Sequence, residues 1–154
     1  MSAIGATPYH YTECGLDNVL VHGIDPVTDD EDDEVVTILN INGLHRAIAY
    51  TILGRKGLMT GKELRFLRTE MGLTQSELAQ RVHKDHQTIG RWERGESRID
   101  ENAETLIRLL TAETLGLTLK ENVVELTGYS VEVAGLPPIE IDGSDPTNYR
   151  AMAA

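Results

Sequence analysis

Two consecutive stretches constrain this chain more than anything else in it: Leu73-Thr74-Gln75-Ser76-Glu77-Leu78-Ala79, and after a short gap His86-Gln87-Thr88-Ile89-Gly90-Arg91-Trp92-Glu93-Arg94-Gly95. Thr74 followed three residues on by Glu77 has the form of a capping box, in which the two side chains satisfy backbone N–H groups left open at a helix start. Leu78, Ala79 and Val82 then fall on one helical face. Asp85 is placed to cap a second helix, with Ile89 and Trp92 inward, and Gly95 stops it.

The same kinds of signal surround this pair. Thr60 and Glu63 form another capping box, with Leu64, Leu67 and Met71 inward and Gly72 at the end. A further helix fits Asn102 to Leu115, with Leu106, Leu109 and Leu110 inward. Upstream, Asn42-Gly43 opens a helix whose Leu44, Ala47, Ile48, Thr51, Ile52 and Arg55 make one stripe, weakened at its far end by Gly54 and Gly57. Two short helices with a tight connection inside such a set read as a helix-turn-helix, which places its second helix in the DNA major groove.

The remainder reads differently. Residues 1–8 look like a mobile end. Tyr9 and Tyr11 alternate with polar residues, and Asp17-Asn18 turns into Val19-Leu20-Val21, which suggests strands up to Ile24. Asp29-Asp30-Glu31-Asp32-Asp33-Glu34 repels itself and reads as a solvated loop, or else as a phosphate mimic or a docking site for a basic partner. Val35 to Ile41 is rich in β-branched residues and predicts a strand. Val123 to Val133, turning at Thr127-Gly128, predicts a hairpin. From Gly135 on, Pro137-Pro138, small residues and scattered acids suggest a tail that orders only with a partner.

The expected organisation is thus a small acidic strand-rich region at 1–43, a bridging helix at 44–58, a helix-turn-helix domain at 59–118, a β-hairpin within 119–134 and a flexible acidic tail at 135–154. The fold class is mainly α: a five-helix repressor-type domain preceded by a small β-containing segment.

Charge follows this division. The chain carries a formal net charge of -11, but residues 1–43 hold nine acids and no Lys or Arg, and residues 99–154 hold ten acids against three bases. Residues 44–98 hold eleven bases against six acids. The one net-basic block carries the helix-turn-helix pattern, as phosphate neutralisation requires, while the flanks would repel DNA and should point away from it. A single cysteine, Cys14, excludes an internal disulfide framework and fits a reducing cytosol. No apolar run is long enough for a membrane span, and the first residues lack the basic and apolar zones of a signal peptide, so a cytoplasmic protein is expected.

Gly72-Leu73-Thr74-Gln75-Ser76-Glu77-Leu78-Ala79 with Ile89-x-x-Trp92-Glu93-x-Gly95 resembles the helix-turn-helix of the lambda-repressor and Cro type, over about residues 60–116. The resemblance implies roles residue by residue. His86, Gln87, Thr88 and Arg91 fall at the outward positions that reach base edges; Gln can pair both ways with adenine and Arg with guanine. Gln75 resembles the family glutamine that contacts a phosphate and braces the recognition helix. Lys84, Arg94 and Arg98 flank that helix and suit phosphate contacts. Arg68 and Glu93 match a structural ion pair bridging the first helix to the end of the recognition helix, where loss of one partner would cost about 3–5 kcal/mol. Trp92 is core.

A second resemblance is wider. Tyr9-x-Tyr11, Cys14-Gly15-Leu16-Asp17-Asn18-Val19, Leu44-His45-x-x-Ile48-Ala49 and Thr60-Gly61-x-Glu63-Leu64-Arg65-Phe66-Leu67-Arg68 are similar to MqsA-type antitoxins, which join an N-terminal zinc domain to a repressor-type helix-turn-helix, neutralise a small toxin and repress their own operon. A structural zinc needs about four ligands, usually two Cys-x-x-Cys pairs. This chain lacks those ligands: His10, Cys14 and His22 offer at most three, so no metal and no cofactor are expected, and Cys14 reads as a small buried apolar residue.

No phosphate loop, nucleophile elbow or metalloprotease motif is present, the histidines are scattered, and His45 reads as packed or capping, so no enzyme is expected. The expectation is a DNA-binding repressor, an antitoxin controlling its own operon, acting as a homodimer on a palindromic double-stranded operator and partnered by a small basic ribonuclease-like toxin. A regulator without a toxin, and an acidic inhibitor of a basic enzyme, are the rival readings.

Overall fold

The computed structural model describes residues 7–24, 27–28, 30–31 and 34–152. Among them the chain runs β1 (Tyr9–Tyr11), β2 (Val19–His22), β3 (Val27–Thr28), β4 (Glu34–Val35), α1 (Ile41–Leu53), α2 (Gly61–Glu70), α3 (Gln75–Val82), α4 (His86–Glu93), α5 (Glu101–Leu115), α6 (Val123–Tyr129), β5 (Ile139–Asp142) and β6 (Arg150–Ala151). The protein is mainly α, with a small sheet added.

Each helix of the central block starts on a side chain that satisfies its open N–H groups. Thr60 and Thr74 each accept from the amide three residues on, and Glu63 and Glu77 reach back to the cap amides. Asp85 caps α4 and Asp100 caps α5. The faces expected inward on α2, α3 and α4 are buried: Leu64, Leu67, Met71, Leu78, Ala79, Val82, Ile89 and Trp92. At Gly61 a Cβ would lie 2.4 Å from the carbonyl oxygens of both Trp92 and Glu93, so only glycine lets α2 start against the end of α4.

Four expectations are overturned. Residues 123–129 form α6 rather than the first strand of a hairpin. Asn122 and Glu125 make a reciprocal capping box, and Leu126 is buried, which outweighs the strand preference of Val123-Val124. The tail is not a tail. Ile139 and Ile141 are fully buried in β5, which lies inside a sheet of order β1-β2-β5-β6. It pairs parallel with β2 and antiparallel with β6. The strand expected at Val35 to Ile41 is paired only at Glu34–Val35, because Asn40 takes a left-handed conformation (φ 54°) and its side chain caps α1. Finally, the apolar stripe of α5 is turned. Ala103, Ile107, Thr111 and Ala112 face the core and Leu110 packs against it as expected, while Leu106 is exposed.

The reason for that turn is a fully buried ion pair. Arg108 Nε donates to Glu104 Oε1 at 2.6 Å, and both side chains have 0% exposure. Arg108 also donates to the carbonyls of Leu53, Arg55 and Gly57 at 3.0, 2.7 and 2.7 Å, satisfying oxygens left open past the end of α1. Glu104 accepts from the Met59 amide at 2.6 Å and the Ser130 hydroxyl at 2.7 Å. One pair thus joins the α1–α2 connection, α5 and the residue following α6. The sheet packs against α1, and its side chains share one core with the helical block.

Asp30 and Glu31 sit exposed in the β3–β4 connection, while Asp29, Asp32 and Asp33 lie outside the described residues, as do residues 1–6 of the expected mobile end.

Candidate nucleic-acid interface

The connection between α3 and α4 is three residues long. His83 adopts a left-handed conformation (φ 58°) and the Lys84 amide donates to Ala79 O at 2.9 Å, closing α3 before Asp85 opens α4. Asp85 Oδ1 accepts from the Thr88 amide at 2.8 Å and from its hydroxyl at 2.9 Å. The Thr88 amide hydrogen bond, together with the Thr88 hydroxyl, holds the Asp85 carboxyl below its usual range. This cap fixes the end of α4 from which a recognition helix reaches bases.

Of the four outward residues, His86, Gln87 and Arg91 are exposed, and none of their side chains holds a hydrogen bond or ion pair to another described residue. Thr88 is half-buried and its hydroxyl proton is committed to the cap.

Behind α4, Arg68 grips Glu93 through two hydrogen bonds, Nε to Oε2 at 2.6 Å and Nη2 to Oε1 at 3.0 Å, with side-chain exposures of 15% and 4%. Arg68 Nη1 also donates to Leu73 O at 3.0 Å, and Gln75 Nε2 to Glu93 Oε1 at 3.1 Å. The first turn of α3, the end of α2 and the end of α4 are therefore locked on one carboxylate. Gln75 braces the helix while sitting at the first residue of α3, where open N–H groups favour a phosphate.

The three flanking cations differ. Lys84 is exposed, and its side chain holds no hydrogen bond or ion pair to a described residue. Arg94 pairs with Glu96, and that hydrogen bond pushes the Glu96 carboxyl below its usual range. Arg98 donates to Glu132 at 3.1 Å, with both side chains well exposed, so it is shared with the segment after α6. Exposed pairs of this kind exchange readily with another anion.

Sequence reasoning missed the link between the sheet and α2. Tyr11 Oη hydrogen-bonds His45 Nε2 at 2.7 Å, and His45 Nδ1 meets Glu70 Oε2 at 3.0 Å. Burial pushes the Tyr11 phenol up to about 12. Beside this chain a cleft of about 710 Å³ runs from Glu13 and Cys14 past Arg65 to Arg94. The signal was present in Tyr9-x-Tyr11 and Leu44-His45, but nothing local in the sequence shows that they meet.

His10, Cys14 and His22 do not converge. His10 Nε2 bonds Asp17 O at 2.7 Å and His22 Nε2 bonds Glu140 Oε1 at 2.9 Å. Burial pushes the Cys14 thiol up, away from the thiolate that a metal takes. Among the described residues no group of three or more His, Cys, Asp or Glu could hold a metal ion, and no helix is long and apolar enough to cross a membrane.

Residues 64–121 match the family described as Helix-turn-helix. No curated protein and no solved structure matches the chain. The chain carries a helix-turn-helix domain of the lambda-repressor type, the domain of DNA-binding transcription regulators.

Proposed function

We propose that the protein is a sequence-specific repressor that reads a palindromic operator as a homodimer, and that it is the antitoxin of a toxin–antitoxin operon which it represses. The observation that carries the DNA reading is the outward face of α4. His86, Gln87 and Arg91 stand free on a helix whose start is capped by Asp85 and whose end is held by Arg68 and Gln75. Base readout needs such side chains on a helix that does not move. Two copies are needed because one helix reads only a few base pairs, and a twofold pair reads half-sites about 34 Å apart.

The antitoxin part rests on the resemblance of residues 9–68 to antitoxins of the MqsA type and on charge. Nine acids without a single Lys or Arg in residues 1–43 favour a small basic partner, as a ribonuclease-like toxin would be. The function is binding, with no catalytic step assigned to any residue.

The test is binding to the DNA upstream of the gene across a salt series, with and without the product of the neighbouring gene. Arg91→Ala should lose about 1–3 kcal/mol of discrimination per half-site. Lys84→Ala should weaken all sequences alike and lower the salt slope by about 1. Full operator affinity in Arg91→Ala would overturn α4 as the reader. Specific binding indifferent to the neighbour would leave a repressor and remove the antitoxin.

A further inference from the structure

Gly90 stands fifth of the eight residues of α4, an interior position where glycine is a poor helix former. It is buried with Ile89 and Trp92, so it is not one of the outward reading positions. A Cβ at Gly90 would lie 3.0 Å from Arg94 Nη1, 3.6 Å from Gln75 Oε1 and 3.8 Å from Arg94 Cζ. All three are side-chain atoms. At Gly61 the obstacle to a Cβ is backbone, which cannot give way; at Gly90 it is the tip of a flexible side chain, which can. The fold therefore does not require glycine at 90. The position of Arg94 does.

Arg94 follows the last residue of α4, yet its guanidinium is folded back one turn and lies over the place where Gly90 lacks a side chain. Its Nε is held by Glu96 in an exposed pair that another anion can replace. The guanidinium thus rests in the seam between the middle of α4 and Gln75, the first residue of α3. In a helix-turn-helix the first helix of the motif crosses the DNA backbone while the second enters the groove, so a phosphate passes along this seam. We propose that Gly90 is a positioning residue for DNA binding: by lacking a Cβ it gives Arg94 a seat against α4, from which the guanidinium meets a backbone phosphate already ordered. The inference rests on the operator reading. Arginine is among the side chains that lose most rotamer freedom when fixed. An unseated Arg94 loses that freedom on contact with DNA and weakens the complex accordingly; a seated one has lost it on folding. The helix gives up some stability in exchange, since alanine at 90 would favour α4.

The experiment measures the full chain as wild type, Gly90→Ala, Arg94→Ala and the double variant. Affinity is read for the DNA upstream of the gene and for a duplex of unrelated sequence, beside the thermal midpoint. Gly90→Ala should raise the midpoint by about 1–4 °C. It should also weaken binding about two- to tenfold per half-site. The loss should be the same on both duplexes, because a phosphate contact carries no sequence information. Arg94→Ala should weaken both duplexes at least as much. Once Arg94 is gone, adding Gly90→Ala should change affinity by less than about twofold. Full affinity in Gly90→Ala, a lowered midpoint, a loss confined to the upstream DNA, or the same loss repeated in the double variant would each overturn the seat while leaving the operator reading standing. A wild type that binds neither duplex overturns the operator reading and the seat with it.

Discussion

The helical block and the sheet are built on opposite principles. From α2 to α4 each helix is started by a residue three positions from its partner: Thr60 with Glu63, Thr74 with Glu77, Asp85 with Thr88. The sheet is closed at its centre by pairs drawn from the two ends of the chain, Val19 with Ile139 and Val21 with Ile141. The first kind of contact costs little loop entropy and is written into short motifs. The second closes the whole chain and has no local motif. A surface that must present side chains accurately to DNA sits on the locally specified block, and the non-local sheet holds that block through α1.

The largest effect should come where α1, the helix that carries the sheet, is tied to α5. Arg108→Met leaves the Glu104 carboxylate fully buried without its cation and leaves the carbonyls of Arg55 and Gly57 unpaired. Unfolding by urea should show a loss of about 3–5 kcal/mol. The double variant Glu104→Leu with Arg108→Met should regain part of it, since apolar residues often replace a buried pair without loss. A single-variant effect under about 1 kcal/mol would mean that this pair does not tie the end of α1 to α5 and α6.

The next effect separates a strand from a tail. Ile141→Ala should cost about 2–5 kcal/mol, as deletion of buried methyl groups does, because Ile141 is fully buried between β2 and β6. Surface changes usually fall within about 0.5 kcal/mol, so a value in that range would restore the flexible end that Pro137-Pro138 suggested.

These residues also show what was legible in the sequence. The positions of α2, α3 and α4, their inward faces and their stop at Gly95 follow from caps and spacing alone. The Ile-Glu-Ile-Asp alternation of β5 was equally present, but its partner strand lies at the other end of the chain, and a four-residue run says nothing about what it pairs with. Val123-Val124 carried two contradictory signals, strand preference and an Asn122–Glu125 cap, and the cap prevailed once Leu126 found a place against the core. On α5, leucine spacing pointed Leu106 inward, where it is exposed, although Leu110 does pack against the core. A buried Arg with four backbone carbonyls and a carboxylate as partners is a tertiary device, and Arg108 looks in sequence like any surface arginine.

Within the local block the expected effects shrink, because each cap is exposed and replaceable. Thr74→Ala removes the side chain that accepts from the Glu77 amide at 3.1 Å, and should cost about 1 kcal/mol by urea unfolding. The loss should reach DNA binding only through the position of Gln75. A sequence preference altered by this variant would show that α3 shifts with its cap; an unchanged preference with uniformly weaker affinity would show that it does not.

The smallest effect lies at the start of α4 and depends on pH. The Thr88 amide lowers the Asp85 carboxyl below its ordinary 3.8, so the folded state favours the carboxylate more than the unfolded chain does. A group lowered in this way contributes its stabilisation fully above the unfolded value and loses it as pH falls through the folded one. The cap should therefore hold α4 steady through neutral and mildly acid solution and release it only below the ordinary carboxylate range. Hydrogen exchange at the Thr88 amide, followed downward in pH, should accelerate in that window in the wild type. Asp85→Asn keeps an acceptor for the amide without a titrating proton, so its exchange should lack that local step. Identical profiles for the two would mean that α4 is held by Glu93 and its partners at the far end rather than by its cap, which would place the accuracy of base reading on Arg68 and Gln75.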